Sequence, residues 1–173
     1  MAITVSYHAF AEDMTVDDFS ENPEQRWQYV SDQVMGGVSS GTVEYKGQDK
    51  DAYASLIGEV STDNNGGFIQ IRTKLNKKQV ADAKGVYIRA RGNNQRYFIH
   101  LRTTGTMLPW QYYQSSFDVT EEWQNFELPL AGFSRSGNWL RGEIKPPSIR
   151  SIGIVAFGRD HQADLDIAEI GFF

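Results

Sequence analysis

The sequence predicts an all-β sandwich, and three observations carry that prediction. Segments rich in β-branched and aromatic residues recur along the chain, each bounded by Gly, Asn, Asp, Ser or Pro. Aromatic residues are abundant, at 10 Phe, 8 Tyr and 4 Trp, and such side chains suit a pleated, half-buried surface. Helix-period patterns are sparse and no strand-helix-strand alternation appears, which argues against a doubly wound parallel sheet. A length of 173 residues fits one domain with its own core.

Taken in order, residues 1–14 read as an N-terminal extension that adds an edge strand to a domain spanning 15–173. Asn22-Pro23-Glu24 offers a cap followed by proline at a first helical position, so 22–35 is expected to start with a helical turn. "SDQVMGGVSSG", 31–41, follows. Its Gly36-Gly37 pair allows a tight turn, Asp32 is placed to tie the loop through backbone N–H groups, and Val34 and Met35 are expected to bury. Strands are predicted at 41–47, 53–61 and 67–74, the last introduced by a second glycine doublet in "TDNNGGF". A turn over 76–85 is expected to stop at Gly85. Further strands follow at 85–92, 96–104, 112–119, 123–130, 149–157 and 163–173.

Successive side chains on a strand point to opposite faces, so alternation assigns sides. Val86, Ile88 and Ala90 share a face, as do Ile99 with Leu101 and Ile69 with Ile71. The opposite faces carry Gln70, Arg72, Tyr87, Arg89, His100, Arg102, Tyr112 and Gln114. Placed on one sheet, these would form a platform in which arginine binds carboxylate or phosphate and tyrosine offers a flat surface with a polar tip. A solvated sheet face with cross-strand pairs is the simpler alternative.

Net charge is −5, which argues against a nucleic-acid or anionic-membrane partner. The charge is uneven: residues 1–65 carry 12 acids and 3 bases, residues 66–173 carry 14 bases and 10 acids. A basic patch for an anionic ligand in the later part is one reading of that split. There is no Cys, hence no disulfide, thiolate metal site or thiol nucleophile. The start "MAITVSYHAF" has neither the basic nor the apolar region of a signal peptide, and no apolar run spans a bilayer, so a cytoplasmic protein is expected.

"GVSSG" matches the G-x-S-x-G pattern around a nucleophilic serine, yet that motif needs a helix after Ser39, and "TVEYK" reads as a strand. His8, His100 and His161 lack metal-ligand spacing. Asp160, Asp164 and Asp166 are weak calcium candidates, and no cofactor is expected. The glycine loops remain as a binding rim, made of Asp32, Met35, Gly36, Gly37, Asn65, Gly66 and Gly67.

The run W-x-x-V-x-D-x-V-M-G-G-V-S-S-G from Trp27 to Gly41 resembles the hallmark of the CIA30 family, named for complex I intermediate-associated protein 30. Further matching pieces follow in order. They include Asp18-Phe19, G-x-V-S-T-D-N-N-G-G-F from Gly58, Y-F-I-H-L-R-T from Tyr97, F-E-L-P-L-A-G-F from Phe126 and L-D-I-A-E-I from Leu165. The resemblance implies a galactose-binding-domain-like jelly-roll β-sandwich of the stand-alone bacterial type. It also implies a non-catalytic binding or assembly-factor role, chaperone-like, with a protein partner. Among family relatives the mitochondrial member assists respiratory complex I, which makes assembly of respiratory-type complexes the implied process. The alternative is a module that binds a carbohydrate or small anionic ligand on the sheet face Arg72, Tyr87, Arg89, His100, Arg102 and Tyr112.

Overall fold

A computed structural model describes residues 14–173. The edge strand expected from residues 1–14 therefore lies, apart from Met14, outside the described residues. Twelve strands appear among them: β1 (Thr15–Asp17), β2 (Gln28–Ser31), β3 (Ser40–Lys46), β4 (Tyr53–Val60), β5 (Phe68–Lys74), β6 (Gly85–Gly92), β7 (Arg96–Thr103), β8 (Tyr113–Asp118), β9 (Gln124–Pro129), β10 (Ser134–Arg135), β11 (Ile149–Phe157) and β12 (His161–Phe172). They form two six-stranded sheets. Sheet A runs β3-β4-β12-β6-β9, with β1 paired to the far end of β12. Sheet B runs β10-β8-β7-β11-β5-β2. All pairings are antiparallel.

The two sheets bury their apolar faces against each other, as the alternation predicts. Ile69, Ile71, Ile99, Leu101, Ile152 and Ile154 from sheet B meet Leu56, Val86, Ile88, Leu165, Ile167 and Phe172 from sheet A, all fully buried. Burial of one such side chain is worth roughly 1.5–3 kcal/mol, so this double layer is the main source of stability.

The helical content is slight. Pro23–Gln25 makes a 3-10 turn, but Asn22 does not cap it; its φ is 43° and its side chain makes no cap bond. The chain then straightens into β2, because the edge of β5 supplies backbone partners from Ile69 to Arg72. A second 3-10 turn covers Asp32–Met35. One α-helical turn, α1 (Lys77–Val80), is held by reciprocal bonds between Asn76 and Gln79. Gly85 does not end it. Gly85 opens β6, and its N–H, like that of Lys84, donates to the Phe173 carbonyl.

The N-terminal segment is pinned by Asp17. Its nearly buried carboxylate accepts from Phe19 N at 2.8 Å, from Arg26 Nε and Nη2 at 2.8 Å each, and from Trp27 Nε1 at 2.7 Å. The Trp27 and Phe19 rings pack 5.5 Å apart above it. Charge-assisted bonds of this kind are about twice as strong as neutral ones, so a short edge strand is held firmly.

Candidate functional site

Two regions stand out. The first lies at the end of the sandwich where the two glycine doublets meet. Asp32 is fully buried. One carboxylate oxygen accepts from Ser39 N at 3.0 Å; the other accepts from Ser39 Oγ at 2.5 Å, Gly67 N at 2.6 Å and Phe68 N at 3.3 Å. One side chain thus ties the β2–β3 loop, the start of β3 and the β4–β5 loop together. The glycines are needed because the carboxylate fills their side-chain space. A Cβ at Gly37 would sit 2.4 Å from Asp32 Cγ, and one at Gly66 would sit 2.4 Å from Asp32 Oδ2. Burial pushes the Asp32 carboxyl up, but the bonds from Ser39, Gly67 and Phe68 outweigh it and hold the group below its ordinary value.

Ser39 is buried and serves this network, donating to Asp32 and accepting from Ser61 N at 2.9 Å. The loop above it inverts one expectation. Val34 and Met35, expected inside, are 74% and 58% exposed, and Val38 after them is 49% exposed. The 3-10 turn directs Asp32 inward, and with it the next residues turn out. Gly36, at φ 86°, then reverses the chain. Asn64 Nδ2 donates to the Gly36 carbonyl at 3.3 Å, and Asn65 stands beside it in the left-handed region at φ 58°. The predicted rim is therefore one physical unit, with Asp32 at its centre and Met35 at its surface.

The second region is the outer face of sheet B. Its register sets one cross-strand row of Gln28, Arg72, Gly153, His100 and Gln114. Arg102 stands one step along, opposite Ser151. Gly153 leaves the centre of the row without a side chain, and a shallow pit opens between Gln70, Arg72, His100, Arg102, Tyr112 and Ser151. The pit runs into a broader groove of about 840 Å³ between β2, β5 and the α1 turn.

His100 and Tyr112 form one wall, with rings stacked at 4.1 Å and 7°, and the edge of Phe157 closes on both. Burial pushes the His100 imidazole down to about 4, against a smaller opposing pull from its bond with Gln114 at 3.2 Å. His100 is therefore neutral near pH 7. Burial, and then the like charge of Arg72, lowers the Arg102 guanidinium, whose Nη2 donates to the Leu108 carbonyl at 2.9 Å.

The predicted platform is thus only partly one surface. Arg72, His100, Arg102 and Tyr112 come together, but Tyr87 and Arg89 lie on sheet A, because β6 pairs with β12 and β9. Tyr87 is buried, bonded to Thr15 Oγ1 at 3.0 Å and Glu169 Oε1 at 2.8 Å. Arg89 lies 5.6 Å from the Trp123 ring, beside Arg91, which is paired with Asp166. The three aspartates considered for calcium are likewise separated in role. Asp160 accepts from Thr62 N and Oγ1, Asp164 is exposed on β12 opposite Ile57, Asp166 binds Arg91, and no cluster of metal-ligating side chains occurs among the described residues.

A family model described as Complex I intermediate-associated protein 30 (CIA30) matches residues 17–167. The chain belongs to the CIA30 family. Its hallmark run is the segment from Trp27 to Gly41 that carries both buried anchors: Trp27 bonded to Asp17, and Asp32 bonded to the glycine loops. A comparison with curated proteins finds no match.

Solved structures similar to this CIA30 domain include carbohydrate-binding modules. The family 11 module from Clostridium thermocellum, in complex with a β-1,3-1,4-mixed-linked tetrasaccharide, has a TM-score of 0.73 at 14% identity, over 92% of this chain and 94% of that one. The family 11 module of a cellulosomal cellulase of the same organism gives 0.72 at 14% identity, over 92% of each chain. A family 30 module gives 0.54 at 12% identity, over 83% of this chain and 80% of that one. At such identities the likeness is one of fold, and it agrees with the jelly-roll β-sandwich expected of a CIA30 chain.

Proposed function

We propose that this CIA30 chain is a non-catalytic binding module of assembly-factor type, which docks a protein partner through the Asp32-anchored loop. The observation that carries this reading is the exposure of Val34, Met35 and Val38 on backbone that a buried carboxylate holds in place. A contiguous exposed apolar patch marks an interaction surface more often than a scattered one. A rigid patch also binds at lower entropic cost than a mobile one. The family description, which names association with a complex I intermediate, supports a protein as the occupant. A second exposed set, Met107, Leu108 and Trp110, lies at the opposite end of the sandwich, since β7 leads to it away from the glycine loops. The docking reading does not include it.

The test is affinity capture from native lysate with the full chain, followed by identification of what is retained. Met35→Asp and Val34→Asp place a charge on the patch without touching Asp32, so both variants are expected to melt like the parent and to lose the retained partner. An unchanged set of retained proteins in well-folded variants would refute the docking reading.

A second reading is favoured by a separate observation, the pit and groove over sheet B with the stacked His100–Tyr112 wall. It makes that face a site for a carbohydrate or other small polar ligand. Titration with neutral oligosaccharides such as cellotetraose tests it. The expected signal is binding at or below millimolar concentration, equivalent to about 4 kcal/mol, that is weakened by Tyr112→Ala.

A further inference from the structure

The groove over sheet B gathers positive charge, most of which no carboxylate of the described chain pairs. Its walls include Arg26, Arg72, Lys74 and Arg102, and no aspartate or glutamate. Arg26 is occupied by Asp17. Arg72, Lys74 and Arg102 take part in no ion pair among the described residues. The carboxylate on the same outer face, Asp118, stands at the far end of β8 from Gln114, bound to Arg96 at 2.8 Å. This occurs in a chain whose net charge is −5, where acids are in surplus to pair with any base. Surplus acid elsewhere and none here is a distribution that a solvated sheet face does not require.

The geometry focuses that charge. Arg72 and Arg102 stand on the two strands flanking β11, opposite Gly153 and Ser151. Strand spacing sets their stems about 10 Å apart laterally, and the floor between them is one glycine and one serine. The side chains reach across the least bulky part of the sheet. Arg102 is oriented by the Leu108 carbonyl, while Arg72 has no hydrogen-bond partner within the described chain. Two guanidiniums held in mutual repulsion over a pit are a cost to the free protein, which a bound anion relieves. The neutral His100–Tyr112 wall adds no competing acceptor charge. Gln28, Gln70, Gln79 and Ser151 line the same space with neutral polar groups. The groove volume falls within the ~300–1,000 Å³ of small-molecule sites.

We propose that this groove is a binding site for a small organic anion, its carboxylate or phosphate oxygens held between Arg72 and Arg102. The inference rests on the second reading above, that the face takes a small ligand, and adds the ligand's charge to it. Guanidinium forks match either oxyanion in bidentate geometry.

The experiment is isothermal titration calorimetry of the full chain at low salt with four probes: citrate, trigalacturonate, inorganic phosphate and neutral cellotetraose. At least one anion is expected to bind. Its affinity is expected to drop about tenfold or more in Arg72→Gln and in Arg102→Gln, as loss of a charge-assisted bond implies. It should also weaken with added salt, and persist in Arg89→Gln on the opposite sheet. Binding of citrate, of trigalacturonate alone, or of phosphate alone identifies the source as a free carboxylate, a sugar acid or a phosphoryl group. Absence of anion binding up to about 10 mM, or binding indifferent to Arg72→Gln, overturns the proposal. So does cellotetraose binding as tightly as trigalacturonate, an outcome that leaves the small-ligand reading intact. If no probe binds, both fall. Because Arg72 makes no internal bond, Arg72→Gln is expected to melt at or above the parent temperature without ligand. A clear fall would assign Arg72 a structural role and count against the site.

Discussion

Asp32→Ala is expected to lower the unfolding free energy by about 3–5 kcal/mol, the scale seen when one partner of a buried charged network is removed. In a domain of this size that is a fall in melting temperature of roughly 10 °C. The reason is specific. The carboxylate is fully buried and accepts four bonds, three of them from backbone N–H groups of Ser39, Gly67 and Phe68. Alanine leaves those donors buried without acceptors, and nothing nearby replaces them. Denaturant titration of the two proteins provides the check, and a loss below about 1 kcal/mol would show that the network is dispensable. The effect also has a pH signature. The folded-state value of Asp32 is below the ordinary one, so its stabilisation is complete above about pH 4, the unfolded value. It is lost as pH falls through the folded-state value. Asp32→Asn, which cannot titrate, is expected to lack this acid limb of the stability profile.

His100 predicts a second large effect, at milder pH. Its folded-state value is about 4, set mainly by burial, against about 6.5 in an unfolded chain. Between those values the unfolded chain takes up a proton that the folded chain refuses. Stability therefore falls as pH drops from 6.5 toward 4, with a slope of up to about 1.4 kcal/mol per unit, and is flat above 6.5 on this account. Urea unfolding at pH 7 and pH 5 should show the parent losing about 2 kcal/mol more than His100→Gln. Equal losses in the two proteins would mean that the imidazole is hydrated and that the stacked wall beside the groove opens in solution.

Much of this architecture was legible in the residues. Each of the nine longer strands was marked by β-branched and aromatic alternation, and Ile69, Ile71, Ile99 and Leu101 fall inward as a period of two requires. The role of Asp32 as a tie for its own loop was also legible, because an aspartate just ahead of Gly36-Gly37 has few ways to be satisfied except by loop N–H groups; its reach to Gly67 and Phe68 in the distant second doublet was not. What was not legible follows from non-local facts. The short strands β1, β2 and β10 have little pattern of their own and exist because a neighbouring edge offers partners. Tyr87 and Arg89 were placed with Arg72 because alternation gives the side of a strand but not the sheet it joins; that depends on β12 lying between β4 and β6. Val34 and Met35 have core-like side chains, but the turn that buries Asp32 leaves them outside. The groove arginines were visible one by one. Their shared lack of a carboxylate partner was not, since it depends on which strands flank β11.

The position of the last two strands has a consequence for how the chain acquires its structure. β11 lies between β7 and β5 in sheet B, and β12 lies between β4 and β6 in sheet A. Until residues 149–172 arrive, sheet A is therefore in the pieces β3-β4, β6-β9 and β1, and sheet B in the pieces β10-β8-β7 and β5-β2. Closing such long loops is entropically slow, and topologies dominated by distant pairings fold on the slow end of the range. On the ribosome, β5, β7, β4 and β6 emerge with open edges and wait for their central partner. The charged side chains along those strands, Glu59, Arg72, Lys74, Arg89, Arg91, Arg96 and Arg102, then act as guards against pairing with other chains during that interval.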